Sequence, residues 1–228
     1  MFLNVKPKQI KPINWGWKNK MTEWGPEVVK HPGEIRMPPL LQKYDWRAFE
    51  IELPPKEWQG WFSKSHGFGT RNLKSIFTTG ARFMGYLELL MNHPDLSAIT
   101  QTYLEWNERL LETWNRETGY PLTYFMIGDD YGYNTGLLMR PDDWREYVKP
   151  QIGQLFKLAK SYGCEIIFHS DGDISEIIDD ILEMGASFIN CELVGKMKKL
   201  PITKGQGGHL WYKGKVIWEN TPEMVAKL

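Results

Sequence analysis

Leu122-Thr123-Tyr124-Phe125-Met126-Ile127-Gly128-Asp129-Asp130 is a mostly apolar run that ends in a glycine and two aspartates. Two further stretches repeat the pattern: Glu165-Ile166-Ile167-Phe168-His169-Ser170-Asp171-Gly172 and Ser187-Phe188-Ile189-Asn190-Cys191-Glu192. Short apolar runs of this kind suit strands buried on both faces of a parallel sheet. Helical patterns fill the gaps between them. Pro141-Asp142-Asp143 opens one helix, with acids in the first turn where the helix dipole favours them. It runs through Tyr162 to a stop at Gly163, and Pro150 is expected to kink or divide it. A second helix is expected from Ile174 to Met184, stopping at Gly185. Alternating strands and helices imply parallel crossover units, which a doubly wound sheet and a barrel both satisfy.

Upstream, Arg82 to Met91 reads as helical, and His93-Pro94-Asp95 opens a longer helix from Leu96 to Glu117. Leu96, Ile99, Tyr103, Trp106, Leu110, Leu111 and Trp114 recur at three- and four-residue spacing, which puts them on one face. Gly119 suits a C-cap. Residues 1 to about 65 show little periodicity. Pro32-Gly33, Pro38-Pro39 and Pro54-Pro55 predict irregular chain there, with one short helix near Leu40 to Phe49. Six of the eleven tryptophans (Trp15, Trp17, Trp24, Trp46, Trp58, Trp61) fall in this segment. They are read as anchors for irregular chain, or alternatively as an aromatic lid. Downstream, Ile202 to Gly207 is a candidate fourth strand, and Thr221-Pro222-Glu223 has the cap, proline and acid of a helix start.

Bulk composition excludes several classes. Lysine plus arginine and aspartate plus glutamate number 28 each, so no global field recruits nucleic acid or an acidic membrane. Two cysteines, Cys164 and Cys191, cannot make a disulfide framework and fit a cytoplasmic location. There is no signal peptide pattern and no apolar run of about 18 residues to span a bilayer. The chain, 1–228, is read as a single domain.

Parallel α/β architectures place their sites at the carboxyl ends of strands. Three polar strand ends converge here: Asp129-Asp130, His169-Ser170-Asp171 and Asn190-Cys191-Glu192. Adjacent aspartates on an alternating strand face opposite ways, so one can enter the mouth while the other bonds backbone amides. His169, alone among five histidines at a strand end, is the candidate acid, base or metal ligand. A structural imidazole is the plain alternative. Asp171 would support it or share a cation, and Asp173 reads as a helix cap. Cys191 could complete a zinc set with His169 and an aspartate, although no CxxC or HExxH spacing accompanies it. Cys164 reads as core. Gly205-Gln206-Gly207-Gly208 lacks the features of a phosphate loop.

The stretches Ile127 to Gly132, Gly136 to Pro150 and Phe168 to Ile174, with Ile177 to Gly185 and Ile189-Asn190, together resemble the central part of the uroporphyrinogen decarboxylase superfamily. Glu23-Trp24-Gly25, Phe83 to Asp95 and Thr221 to Val225 resemble flanking parts of it. The resemblance implies a (β/α) TIM-type barrel, here incomplete at both ends, since only four or five strands are evident. It implies decarboxylation of uroporphyrinogen, or methyl transfer between a small substrate and a corrinoid protein, the latter often with zinc. The arginine-rich opening turn of the decarboxylases is absent, which favours the methyltransferase branch. That branch commonly carries His-X-Cys where this chain has His169-Ser170-Asp171. The expected catalytic set is Asp129, Asp130, His169 and Asp171, with Trp24, Tyr131, Asn190 and Gln206 contacting substrate and His169, Asp171 and Cys191 as metal ligands. A third reading is a non-catalytic truncated barrel that binds a tetrapyrrole or a partner chain. Unclosed sheet edges favour association with another copy.

Overall fold

The computed structural model describes residues 4–7, 18–22, 25–35, 49–52, 56, 59, 67–68, 75–192, 194–204 and 210–218. The expected lid tryptophans, the Gly205 to Gly208 loop and the helix at Thr221 lie outside these residues, as does the helix near Leu40 apart from its last residue. That residue, Phe49, begins a strand.

The described N-terminal chain is irregular at residues 31–35, but elsewhere it forms the paired strands that the sequence did not predict. β1 (Asn4–Pro7) pairs antiparallel with β4 (Phe49–Glu52), and β2 (Lys18–Thr22) pairs antiparallel with β3 (Gly25–Lys30). Prolines on strand edges do not prevent pairing, because only the missing N–H must face away from the partner.

β5 (Gly67–Phe68), β6 (Tyr124–Gly128), β9 (Glu165–Ser170), β10 (Ala186–Cys191) and β13 (Lys215–Trp218) lie side by side, all parallel. Their spatial order is their chain order, so each connection steps the same way along the sheet. A doubly wound sheet would reverse direction at a switch point, and no reversal occurs among these strands. β12 (Leu210–Tyr212) and β11 (Thr203–Lys204) extend the sheet antiparallel beyond β13, while β7 (Gly132–Tyr133) and β8 (Gly136–Leu137) form a separate short antiparallel pair after β6. Among the described residues the sheet stays open and no closed barrel forms. Of the expected strand from Ile202, the described residues contribute the edge pair Thr203–Lys204, and the next parallel strand beyond β10 is β13. The turn before β13 has positive φ at Lys213 (48°) and Gly214 (75°), as a two-residue type I′ hairpin requires.

Helices cover one face. The region expected to form one helix from Arg82 is two: α1 (Ile76–Met84) and α2 (Tyr86–Asn92), divided by Gly85 at φ 87°. α3 (Ser97–Thr118) buries the expected stripe and ends at Gly119, φ 70°, whose N–H bonds Asn115 O. The helix from Pro141 persists to Ser161 without a break at Pro150. It comprises α4 (Pro141–Asp143), a π turn at Trp144–Val148, and α5 (Lys149–Ser161). Pro150 has no N–H for the carbonyl four residues back. The wider turn just upstream, where Lys149 N–H bonds Trp144 O, absorbs that defect. α6 (Ile178–Met184) begins four residues later than expected. α5 packs on β6 and β9, α6 on β10, and α3 on α5.

The two sheet faces differ. Phe125, Ile127, Ile166, Phe168 and Ile189 are fully buried in the main core. Met126, Ile167 and Phe188 face the other way and are half-buried. His169 and Asn190 lie on that second face, one layer further along, beside Gly128. The pleat therefore presents the histidine away from the helices, at the carboxyl ends of the strands. No described helix is long and apolar enough to cross a membrane.

Candidate functional site

The chain after β6 divides its two aspartates. Asp129 turns into the protein and is 1% exposed. Its Oδ2 accepts from Phe77 N–H (2.7 Å), and its Oδ1 accepts from Thr78 N–H (3.0 Å) and the Thr78 hydroxyl (2.6 Å). Tyr131 donates its hydroxyl to Oδ2 at 3.3 Å. Phe77 and Thr78 are the second and third residues of α1, whose own N-cap, Ser75, makes no side-chain cap. Ser75 instead donates to Gly128 O at 2.8 Å. Asp129 is therefore a helix cap supplied from a distant strand, and its charge meets the positive end of the α1 dipole. Burial pushes its pKa up to about 7, with Asp130 adding to the rise, while the Thr78 and Phe77 hydrogen bonds pull it down. This differs from the catalytic task expected of it: every donor on it is internal to the fold.

Asp130 faces outward and is half-exposed. Its Oδ1 accepts from Asp171 N–H at 3.1 Å and lies 4.0 Å from His169 Nε2. Asp171 Oδ1 is 3.4 Å from the same Nε2. The other ring nitrogen, Nδ1, contacts Asn190 Oδ1 at 2.6 Å. Asp130, His169 and Asp171 each bring one ligand atom to a common point, all within 4.8 Å of one another. Among the described residues they are the group able to hold a metal ion.

Close backbone packing brings the two loops together. A side chain on Gly172 (φ 79°) would come within 2.3 Å of Gly132 C, and one on Gly132 within 2.7 Å of Asp173 N. Only glycine at both positions lets the loops after β6 and β9 touch, with Asp173 N–H donating to Tyr133 O at 2.8 Å. Asp173, 1% exposed, accepts from Ser175 N–H (3.1 Å) and Lys196 N–H (2.6 Å), so it caps its own turn and fastens the loop after β10. Glu192 accepts from Gly172 N–H at 3.2 Å. Ser170 accepts from Tyr131 N–H at 3.0 Å. Three strand ends are thus stitched into one platform.

The electrostatics are lopsided. Asp129, Asp130, Asp171 and Glu192 gather here, and among the described residues no Lys or Arg pairs with them. Partial burial raises the Asp171 pKa, and the Asp130 and Glu192 charges raise it further, while His169 pulls it down. Of these groups, Asp130, Asp171 and the His169 imidazole are placed so that they could hold a cation.

Other expected site residues lie elsewhere. Cys191 follows Asn190 on β10 and so faces the opposite way, into the core at 0% exposure. Burial pushes its thiol up to about 12, with Glu192 adding to the rise, and it takes no part in the ligand group. Tyr131, expected to touch substrate, is 1% exposed and packs in the core against Phe77, Trp144 and Phe168. Asn190 reaches His169. Trp24 and Gln206 lie outside the described residues. The sequence reading missed Thr78 and Gly132. Thr78 carries no local signal, whereas the Gly132 contact pairs two glycines, each just beyond a strand-end carboxylate.

No protein-family model and no curated protein matches the chain. Among solved structures, a methyltransferase from Methanosarcina mazei is similar, with a TM-score of 0.45 and 16% identity over 78% of this chain and 53% of that one. The chain thus spans about half the length of that structure.

Proposed function

We propose that the chain is a methyltransferase that moves a methyl group between a small substrate and a corrinoid protein, using a divalent cation held by Asp130, His169 and Asp171. The observation that carries this reading is the convergence of those three side chains at parallel strand ends, with no described lysine or arginine to neutralise them. One imidazole nitrogen and two carboxylates suit zinc and other borderline divalent ions. The 3.4 Å between His169 Nε2 and Asp171 Oδ1 is close to the roughly 3.3 Å span of two ligands on a tetrahedral zinc. The donor set therefore fits the ion that the sequence resemblance implies. The one-way winding of five parallel strands supports reading the fold as a segment of a (β/α) barrel.

In such a transfer the corrinoid protein would supply the methyl acceptor, and the substrate heteroatom would keep the electron pair of the bond to the departing methyl group. A divalent cation at this site would stabilise that pair. Asp130, His169 and Asp171 would hold that cation and so orient the substrate heteroatom bound to it. Asp129 and the glycine contact hold Asp130 and Asp171 at their spacing. The negative platform also argues against a polycarboxylate such as uroporphyrinogen, which would meet like charge.

The test is metal content by elemental analysis, together with methyl transfer from thioether, ether and amine donors to cob(I)alamin. The wild-type protein should hold close to one equivalent of zinc after zinc loading and dialysis. His169→Ala should lose both metal and transfer while melting normally. Transfer at the wild-type rate in His169→Ala, or no zinc retained by the wild type, overturns the reading.

A further inference from the structure

His169 carries two nitrogens with different partners. Nε2 faces the carboxylates of Asp130 and Asp171. Nδ1 meets Asn190 Oδ1 at 2.6 Å. An amide oxygen is an acceptor only, so Nδ1 must carry the proton in this contact. A neutral imidazole with its proton on Nδ1 has its lone pair on Nε2, aimed at the ligand group. We propose that Asn190 is a positioning residue that sets the His169 tautomer and ring angle and so determines how tightly the site holds its cation. This deepens the metal reading and rests on it.

Three observations converge on the role. Asn190 is 8% exposed, so water competes poorly for its amide. It lies directly opposite His169 in the parallel register, on the same face of the sheet, which makes the contact a property of strand pairing rather than of a loop. On the other flank, a side chain on Gly128 would come within 3.3 Å of His169 Cβ and 3.4 Å of its Cδ2. The ring is thus bounded by glycine on one side and grasped by the amide on the other. Partners of this kind, behind a histidine ligand, change metal affinity by about 10–100-fold when removed. Asparagine is uncharged. It orients the imidazole without the extra basicity that a carboxylate would confer, so Asn190→Asp should bind at least as tightly as wild type.

Two readouts test the assignment. In metal-free protein with ¹⁵N-labelled histidine, the long-range spectrum of the His169 ring, recorded at a pH alkaline enough for the ring to be neutral, should show protonated Nδ1 and bare Nε2. In Asn190→Leu the two tautomers should mix, and Asn190→Asp should restore the first. A wild-type Nε2–H imidazole overturns the proposal, and this spectrum decides even if Asn190→Leu does not fold. In the second readout, cobalt(II) absorption titrations should show affinity falling about 10–100-fold in Asn190→Leu. Recovery in Asn190→Asp supports the role, and unchanged affinity in Asn190→Leu overturns it. If the wild type shows the expected tautomer but binds no cobalt(II), the proposed control of cation affinity fails with the metal reading, while the tautomer assignment stands.

Discussion

Two groups of carboxylates lie on this βα framework, and their surroundings are opposite. On the helix side, Asp142, Asp179, Asp180 and Glu183 each face a cation: Arg145 to Asp142 at 2.9 Å and Asp180 at 3.0 Å, Lys149 to Asp180 at 2.8 Å and Glu183 at 3.4 Å, Lys213 to Asp179 at 2.6 Å. At the strand ends, Asp129, Asp130, Asp171 and Glu192 face one another, backbone amides and a single imidazole. The same residue type is held below its ordinary pKa at Asp180 and above it at Asp129 and Asp171. A charge network built for cohesion neutralises itself. One that leaves carboxylates without cations costs stability and persists where a ligand supplies the missing charge.

The comparison breaks most severely at Gly172. Replacing it with alanine forces a side chain into a left-handed backbone position and into Gly132. We expect a loss of about 3 kcal/mol or more, combining backbone strain with displaced loops. Because the shift parts Asp130 from Asp171, cation binding should vanish in any folded fraction. Chemical denaturation and cobalt titration check both. A variant of wild-type stability would show that the two loops need not touch.

Next in size is Asp129→Ala. It strips four hydrogen bonds and leaves two helix-terminal amides buried without an acceptor. The expected cost is about 2–4 kcal/mol, a lost cap plus unsatisfied donors. The pH dependence carries its own sign. Asp129 has a folded pKa raised to about 7 from an ordinary value of 3.8. The folded protein therefore binds the proton more tightly than the unfolded chain between those values. In metal-free protein this group's contribution becomes more favourable as pH falls from about 7 toward 4, and it is least favourable above 7. Melting temperatures from pH 8.5 to 4.5 should rise for the wild type, and Asp129→Ala should flatten that rise.

Much of this was legible in the sequence. The apolar runs of β6, β9 and β10 are unambiguous, and the rule that sites gather at strand ends marks the Asp129-Asp130 pair, His169 and Asp171 without choosing between the two adjacent aspartates. Alternation along a strand parts Asp129 from Asp130, as expected; the same rule parts Asn190 from Cys191, although both were expected at the site. What alternation cannot say is which residue of each pair turns inward. That depends on α1, whose Phe77 and Thr78 lie 52 and 51 residues from Asp129. A cap delivered across such a distance has no local signature. The π turn is similar: Pro150 announces a defect, but only packing of Trp144 and Val148, both fully buried, dictates that the helix absorbs it instead of ending. β13 did have a signal, Lys213-Gly214 ahead of Val216-Ile217, masked by the glycine-rich stretch before it.

The smallest effect belongs to the self-neutralising side, and it tests the comparison from that end. Although burial pushes the Asp180 pKa upward, hydrogen bonds from Arg145 and Lys149 hold it below the ordinary carboxylate range. A depressed folded pKa means stability that is present above the unfolded value near 4 and lost as pH falls through the folded value, opposite in sign to Asp129. Taken together, the contributions of these two groups are greatest near pH 4 in metal-free protein. Asp180→Asn should cost no more than about 1 kcal/mol at neutral pH, since Arg145 and Lys149 stay partly in water, and the cost should shrink in high salt. It should also soften the decline below pH 4 while leaving the rise from pH 8 untouched. A change in cobalt affinity in Asp180→Asn would mean that the helix-side network and the strand-end platform are not separate systems. If affinity stays constant while the acid limb shifts, cohesion and cation binding are divided between the two faces of the framework.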